Sequence, residues 1–223
     1  DKKINIIVTS DILYPKIANN FYKLFGKKLK PCYGISELGG SFTYLYNPSK
    51  KLYKDFCVGK FSCNIKIKCS KNPQSPSQIF IKSPYLMNKY LLNKSKINKN
   101  EFFNSGDVGY KKKNTLYVLG RVGDQIKKGG EFISLTKIES LCYSINGISN
   151  VLAKSFKSEI LGSNYNLYIE KNDSNISKFL LRNSIIKLFN EKLQKNEFPE
   201  EIFFIKKIKK NRIGKNLKYF YDN

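Results

Sequence analysis

The chain has 223 residues, 41% hydrophobic and 14% aromatic, enough apolar material for one large or two small folded domains and too much for a disordered chain. Its formal net charge of +24 would attract polyanions. Only Arg121, Arg182 and Arg212 are arginines, however, and the lysines are spread along the whole length, which points to a lysine-rich composition and away from a nucleic-acid reader.

No histidine occurs, which removes Ser–His and Cys–His catalysis. Five cysteines without a Cys-x-x-Cys pair argue against a zinc site. Cys57, Cys63 and Cys69 are evenly spaced and could share one face of extended chain. No apolar run reaches the length of a membrane span, and no signal peptide is present. A chain that begins at Asp1 reads as a piece of a longer protein, or as a processed or trimmed form. Reduced thiols and a cytoplasmic location are the default.

Residues 4–9 are apolar and β-branched, which predicts a buried strand. Pro15 then opens a helix with Ile17, Phe21, Leu24 and Phe25 on one face, ending at Gly26. Leu29 to Tyr33 is the next strand, so residues 1–43 read as a βαβ unit of a parallel sheet. Ligands of such sheets bind beyond the carboxyl ends of the strands, where Tyr33-Gly34-Ile35-Ser36-Glu37 stands. There Gly34 lets a ligand approach the backbone. Tyr33 offers a ring to a base, Ser36 a hydroxyl to a phosphate and Glu37 a hard oxygen to Mg²⁺. A strand end with a surface glutamate is the plainer reading of the same five residues.

From residue 44 to 120 short alternating runs at 64–68, 78–82 and 115–119 are divided by turn signals, predicting antiparallel β-structure, a small barrel. Within it lies Ser105-Gly106-Asp107-Val108-Gly109, either a simple β-turn or a carboxylate placed to accept ribose hydroxyl hydrogens. Gly120 to Glu139 mixes glycines, charges and apolar anchors (Ile126, Phe132, Ile133, Ile138). It predicts a bend, a hairpin turning at Gly129-Gly130, and a helix capped by Ser134 or Thr136. Beyond it come a helix at 135–145, strands at 150–156 and 164–170, and an amphipathic helix at 175–193. That last helix has Ile176, Phe179, Leu180, Ile186, Leu188 and Leu193 as core candidates, and a strand at 201–208 follows. The basic tail contains Gly214-Lys215 and Lys218.

In this order, Tyr33 to Glu37 resembles the Tyr-Gly-x-Thr-Glu motif of the adenylate-forming superfamily, which includes acyl-CoA synthetases and peptide-synthetase adenylation domains. Phe102 to Tyr110 is similar to its Thr-Gly-Asp motif, and Gly120-Arg121 to Glu139 to its hinge-and-loop signature. The tail is similar to its Gly-Lys terminus, without that motif's proline and threonine. The stretch 78–90 is similar to a further family segment that ends in Gly-Tyr. The Thr9-Ser10-Asp11-Ile12 turn stands where the family has a glycine-rich turn near the adenine.

The resemblance implies an α/β and α+β chain. It would comprise the end of a large AMP-binding domain (1–120: βαβ unit 1–43, β-barrel 44–120), a hinge at 121–123 and a small mobile lid domain (124–223). It implies ATP-dependent activation of a carboxylic acid to an acyl-adenylate, with transfer to the thiol of coenzyme A or the phosphopantetheine of an acidic acyl carrier protein. The family roles fall on Lys215 as catalytic lysine and on Tyr33, Gly34, Ser36, Glu37, Asp107 and Arg121 as nucleotide-binding residues. They also fall on Glu37 as Mg²⁺ ligand, Gly123 as hinge, and Gly129 and Gly130 beside the thiol channel. No phosphate loop ending in lysine is found, so the chain alone is expected to be incomplete as a catalyst. A catalytically silent binding homologue and, less favoured, a basic nucleic-acid-binding module are the alternatives.

Overall fold

The computed structural model describes residues 4–91, 96–172, 175–212 and 214–217. The chain divides into two compact units, Asp1–Val122 and Gly123–Asn223.

In the first unit β1 (Ile6–Val8) runs parallel to β2 (Leu29–Pro31), and α1 (Pro15–Phe25) connects them. Pro15 sits in the first turn of α1, where its missing N–H costs nothing. Gly26 ends the helix at φ 63° and donates its N–H to the Tyr22 carbonyl. The expected βαβ unit is therefore present, but its burial is not as expected. Ile4 and Ile7 are 65% and 54% exposed, and on α1 only Ala18 is buried, with Ile17, Leu24 and Phe25 exposed. Apolar periodicity identifies a face that is apolar; two strands offer too little surface to cover it. The chain then folds back on itself. β3 (Gly34–Ile35) pairs with β4 (Gly40–Ser41) around a 3₁₀ turn at Ser36–Leu38.

Next come β5 (Thr43–Tyr44), α2 (Lys50–Lys54), β6 (Cys57–Phe61), β7 (Lys66–Lys68), β8 (Ser77–Lys82), β9 (Phe103–Lys112) and β10 (Thr115–Arg121). The strands form one antiparallel sheet in the order β5-β6-β10-β9-β8-β7. Alternation along β7 and β8 turns Ile67, Ile79 and Ile81 into a core shared with Ile65, Leu116 and Val118. A second cluster joins Leu45, Cys57, Tyr110 and Tyr117, the two tyrosine rings stacked 4.5 Å apart. The evenly spaced cysteines do not share a face. Cys57 is in this second cluster, Cys69 packs on the first, and Cys63 is exposed, because a turn at Ser62–Ile65 interrupts the extended chain.

A 3₁₀ turn at Val122–Asp124 leads into the second unit. Its elements are β11 (Gln125–Lys128), β12 (Glu131–Ser134), α3 (Leu135–Tyr143), β13 (Ile148–Ser158), β14 (Gly162–Lys171), α4 (Lys178–Lys192) and β15 (Ile202–Ile205). The sheet order is β12-β11-β14-β13, with β15 parallel to β14. Gly129 and Gly130, at φ 57° and 92°, make the two-residue turn that sets Lys128 opposite Glu131. Ser134, not Thr136, caps α3 by accepting from the Lys137 N–H, and Thr136 is buried. Ile126, Ile133 and Ile138 are buried as expected, whereas Phe132 is 79% exposed because its neighbour in the alternation, Ile133, takes the inward face. On α4 the core stripe is Leu181, Ile185 and Phe189, one residue per turn. Phe179, Leu180 and Ile186, expected inward, flank that stripe and are exposed.

Candidate functional site

The register of β9 carries the main feature. Gln78 pairs with Val108 and Phe80 with Asn104, so Ser105, Gly106 and Asp107 together oppose Ile79 alone. This bulge is built by local bonds. The Ser105 hydroxyl donates to the Ile79 carbonyl at 2.8 Å and accepts from the Asp107 N–H at 3.2 Å, and Gly106 takes φ 74°. Bulges re-aim side chains, and this one turns the Asp107 carboxylate to where two other segments meet it. The β-turn reading of these residues is thus replaced by a strand bulge.

Asp107 is 6% exposed. Its Oδ2 accepts from the Tyr33 hydroxyl at 2.5 Å, and its Oδ1 lies 3.1 Å from Nε of Arg121, its partner across β10. Arg121 also donates to the Ser105 carbonyl at 3.1 Å. A Cβ at Gly106 would sit 3.2 Å from the Arg121 guanidinium, so a side chain there would crowd Arg121. Burial, and after it the Asp107 charge, pushes the Tyr33 phenol above its ordinary pKa, so it stays a hydrogen-bond donor at neutral pH.

Gly34 has a structural reason of its own: a Cβ there would stand 2.2 Å from the Gly40 carbonyl oxygen. Ser36 and Glu37 follow on the 3₁₀ turn, Ser36 exposed and Glu37 half-buried. Glu37 Oε1 accepts from the Tyr90 hydroxyl at 2.5 Å, and its carbonyl accepts from the Met87 N–H at 2.7 Å. At residue 10 of the preceding turn, Ser10 takes φ 76°, a conformation suited to the glycine that the family places in this region.

Lys215, Gly123, Gly129 and Gly130 belong to the second unit. The described residues around Lys215 are tied back by hydrogen bonds. Lys210 bridges to Asn216, the Lys215 N–H donates to Asn211 Oδ1 at 2.9 Å, and Asn216 Nδ2 donates to the Val151 carbonyl at 3.1 Å. Two asparagines thus hold either side of Lys215, which a reading of charge alone passes over. Lys218 lies outside the described residues. Gly123 has no atom within 4 Å of where a Cβ would be. Sequence reasoning also missed Lys128, Ser105 and the Tyr90–Glu37 bond. Of these only Tyr90 left a signal, as the last residue of a family-like stretch.

Two depressions, about 370 Å³ around Phe61, Cys63, Ile67 and Lys111 and about 350 Å³ around Arg182, Phe198 and Glu200, include none of these site residues. Among the described residues no cluster of His, Cys, Asp and Glu could hold a metal by itself, and no helix is long and apolar enough to cross a membrane.

No family model matches the chain. It is 27% identical over 194 residues to a 2-succinylbenzoate–CoA ligase of Oceanobacillus iheyensis, covering 84% of this chain and 39% of that protein. A 2-succinylbenzoate–CoA ligase of Lactococcus lactis is 34% identical over 142 residues, 63% of this chain and 29% of the relative. The chain is similar to part of each of these acid–CoA ligases. It therefore spans well under half the length of the curated relatives it matches. The fold is similar to that of solved proteins over nearly the whole chain. The o-succinylbenzoate CoA synthetase of Bacillus subtilis in complex with its acyl-adenylate intermediate superimposes with TM-score 0.78 at 21% identity, covering 98% of this chain and 46% of that one. ATP-bound MatB of Rhodopseudomonas palustris gives 0.80 at 18% identity, over 97% and 44%.

Proposed function

We propose that this chain is the carboxy-terminal part of an adenylate-forming, ATP-dependent acid–thiol ligase. It would activate a carboxylic acid to its acyl-adenylate and pass the acyl group to a thiol. The observation that carries this reading is the meeting of Tyr33, Asp107 and Arg121, residues from three separate motifs, at one buried carboxylate. The relatives' names support acid–CoA ligase chemistry, and the ATP and acyl-adenylate bound in fold neighbours support a nucleotide site.

In this reading Asp107 accepts the two ribose hydroxyls, Arg121 neutralises charge beside them, and the Tyr33 ring packs against the base. Gly34 keeps β3 close to β4, and Ser36 donates its hydroxyl to a phosphate oxygen. The Glu37 carboxylate on the same turn is a hard oxygen donor that suits Mg²⁺, which would offset phosphate charge. In the first half-reaction a carboxylate oxygen bonds to the α-phosphorus and the bond to pyrophosphate breaks. Two anions approach, and Lys215 supplies the opposing charge. In the second, a thiol sulfur attacks the acyl carbon and AMP leaves.

The exchange between these steps is assigned to rotation at residues 121–123 about Gly123, which would withdraw Lys215 and present Gly129 and Gly130 to the thiol. Residues 1–120 then form the end of a large AMP-binding domain, with the antiparallel sheet as its barrel, and 124–223 form a mobile lid. Coenzyme A is the preferred acceptor. A carrier protein's phosphopantetheine is the second choice, to which the +24 charge would suit an acidic partner. The cytoplasm is the expected location.

The test is pyrophosphate release by the full-length protein over a panel of carboxylic acids, with 2-succinylbenzoate first because two relatives carry that name. Release that depends on one acid, followed by AMP formation on adding coenzyme A, is the expected result. Nucleotide binding without release from any acid would replace the ligase by a silent binding homologue.

A further inference from the structure

Lys128 is 8% exposed, an uncommon burial for a lysine. It is the last residue of β11, immediately before the Gly129-Gly130 turn. Its ammonium donates to the Phe198 carbonyl at 2.7 Å and lies 5.8 Å from the centre of the Tyr165 ring. Burial pushes its pKa down, with Glu200 opposing that shift. Glu131, the residue just after the turn, accepts from the side-chain amide of Asn196. Both flanks of the glycine turn are thus fastened to one short segment, Asn196 to Phe198.

That segment is itself held. The 3₁₀ turn Lys195–Glu197 carries a capping box with Gln194. Tyr165 donates its hydroxyl to the Glu197 carbonyl at 2.5 Å, and Lys137 pairs with the Glu197 carboxylate at 2.8 Å. On the turn's other side the Gly129 N–H donates to the Leu161 carbonyl at 3.0 Å. Two consecutive glycines would otherwise be among the freest points of the backbone. Here the turn is exposed at its tip and tied down at its base.

Burying an ammonium is costly, and an apolar residue of similar length would fill the same space without that cost. We propose that Lys128 is a positioning residue: its bond to Phe198 holds the Gly129-Gly130 turn in a single conformation, and this fixed turn is what the incoming thiol arm of the second half-reaction meets. The second clause rests on the ligase reading above; the first does not.

The test compares Lys128→Met, which keeps length and removes charge, with Lys128→Arg, which keeps the charge and the ability to donate. In the 223-residue chain, Lys128→Met should speed hydrogen exchange at the Gly129 amide at least tenfold and leave amides of β13 unchanged. Lys128→Arg should restore slow exchange. In the full-length protein Lys128→Met should raise the KM for coenzyme A about tenfold. It should leave pyrophosphate release from the acid within twofold, and Lys128→Arg should recover most of the loss.

Unchanged exchange at Gly129 would overturn the fastening. Faster exchange with an unchanged KM for coenzyme A would overturn the link to the thiol, as would equal losses in both half-reactions. Faster exchange in a protein that activates no acid would leave the fastening standing and remove the ligase reading instead.

Discussion

Replacing Asp107 by asparagine separates a binding role from a folding role. The side chain keeps its size and one acceptor oxygen but loses its charge. The bonds affected are those from the Tyr33 hydroxyl, from Arg121 Nε, and from any ribose hydroxyls. Arg121 is two-thirds exposed and keeps its bond to the Ser105 carbonyl, so its pairing with Asp107 contributes at most about 1 kcal/mol. The Tyr33 bond to a charged acceptor is weakened to a neutral one, a further loss of about 1 kcal/mol. The stability cost is then about 1–2 kcal/mol, a fall in Tm of roughly 3–10 °C. Two ribose hydroxyls bonded to a carboxylate would lose more together, about 2–4 kcal/mol, or roughly 30- to 700-fold in ATP affinity. Calorimetric titration with ATP and a thermal melt on the same preparation read both numbers. ATP affinity within threefold of the parent, with a lowered Tm, would refute the ribose assignment and leave Asp107 as a strut between β9, β10 and Tyr33.

Lys215→Ala in the full-length protein should slow acyl-adenylate formation roughly 10²- to 10³-fold while sparing thioester formation from supplied acyl-adenylate; stopped-flow of each half-reaction reads this, and equal losses would contradict it. Gly123→Ala should leave Tm within 2 °C or raise it slightly, because the position is open and its φ is not in the left-handed region. Gly123→Pro should preserve one half-reaction and abolish the other, and normal rates in both would move the hinge elsewhere. Tyr33 and Tyr165 both have folded-state pKa values raised above the ordinary 10.0, by burial first, so the stability they give is complete below about pH 10 and is lost as pH rises past it. Urea unfolding from pH 9 to 11 should show falling stability, and Tyr165→Phe should flatten the decline by up to about 1.4 kcal/mol per pH unit.

The elements themselves were legible where a local rule decides them. Pro15 and Gly26 bound α1, Ser134 caps α3, and Gly129-Gly130 turns the hairpin, because each is a backbone requirement met by one residue. Burial was less legible. The stripes on α1 and α4 and the outward Phe132 depend on what lies opposite, and a helix carrying apolar residues on several flanks does not say which flank is covered. The candidate site was legible as motifs but not as contacts. Asp107 and Tyr33 are separated by most of the first unit, and only the β9 bulge, invisible in composition, brings them to 2.5 Å. Lys128 was hidden for the opposite reason: in a chain with 41 basic residues, one buried lysine has no distinguishing mark.

The bulge also constrains how this segment can change over time. Three residues of β9 stand against one of β8, while Asp107 stays in register with Arg121 on β10. Losing one residue from 105–107 would leave two residues of β9 against Ile79, an ordinary bulge that absorbs the odd count locally. Losing two would straighten the strand and take away the bend that aims the carboxylate. The length of 105–107 and the direction of the Asp107 side chain are therefore set together, and a change in one is a change in the other.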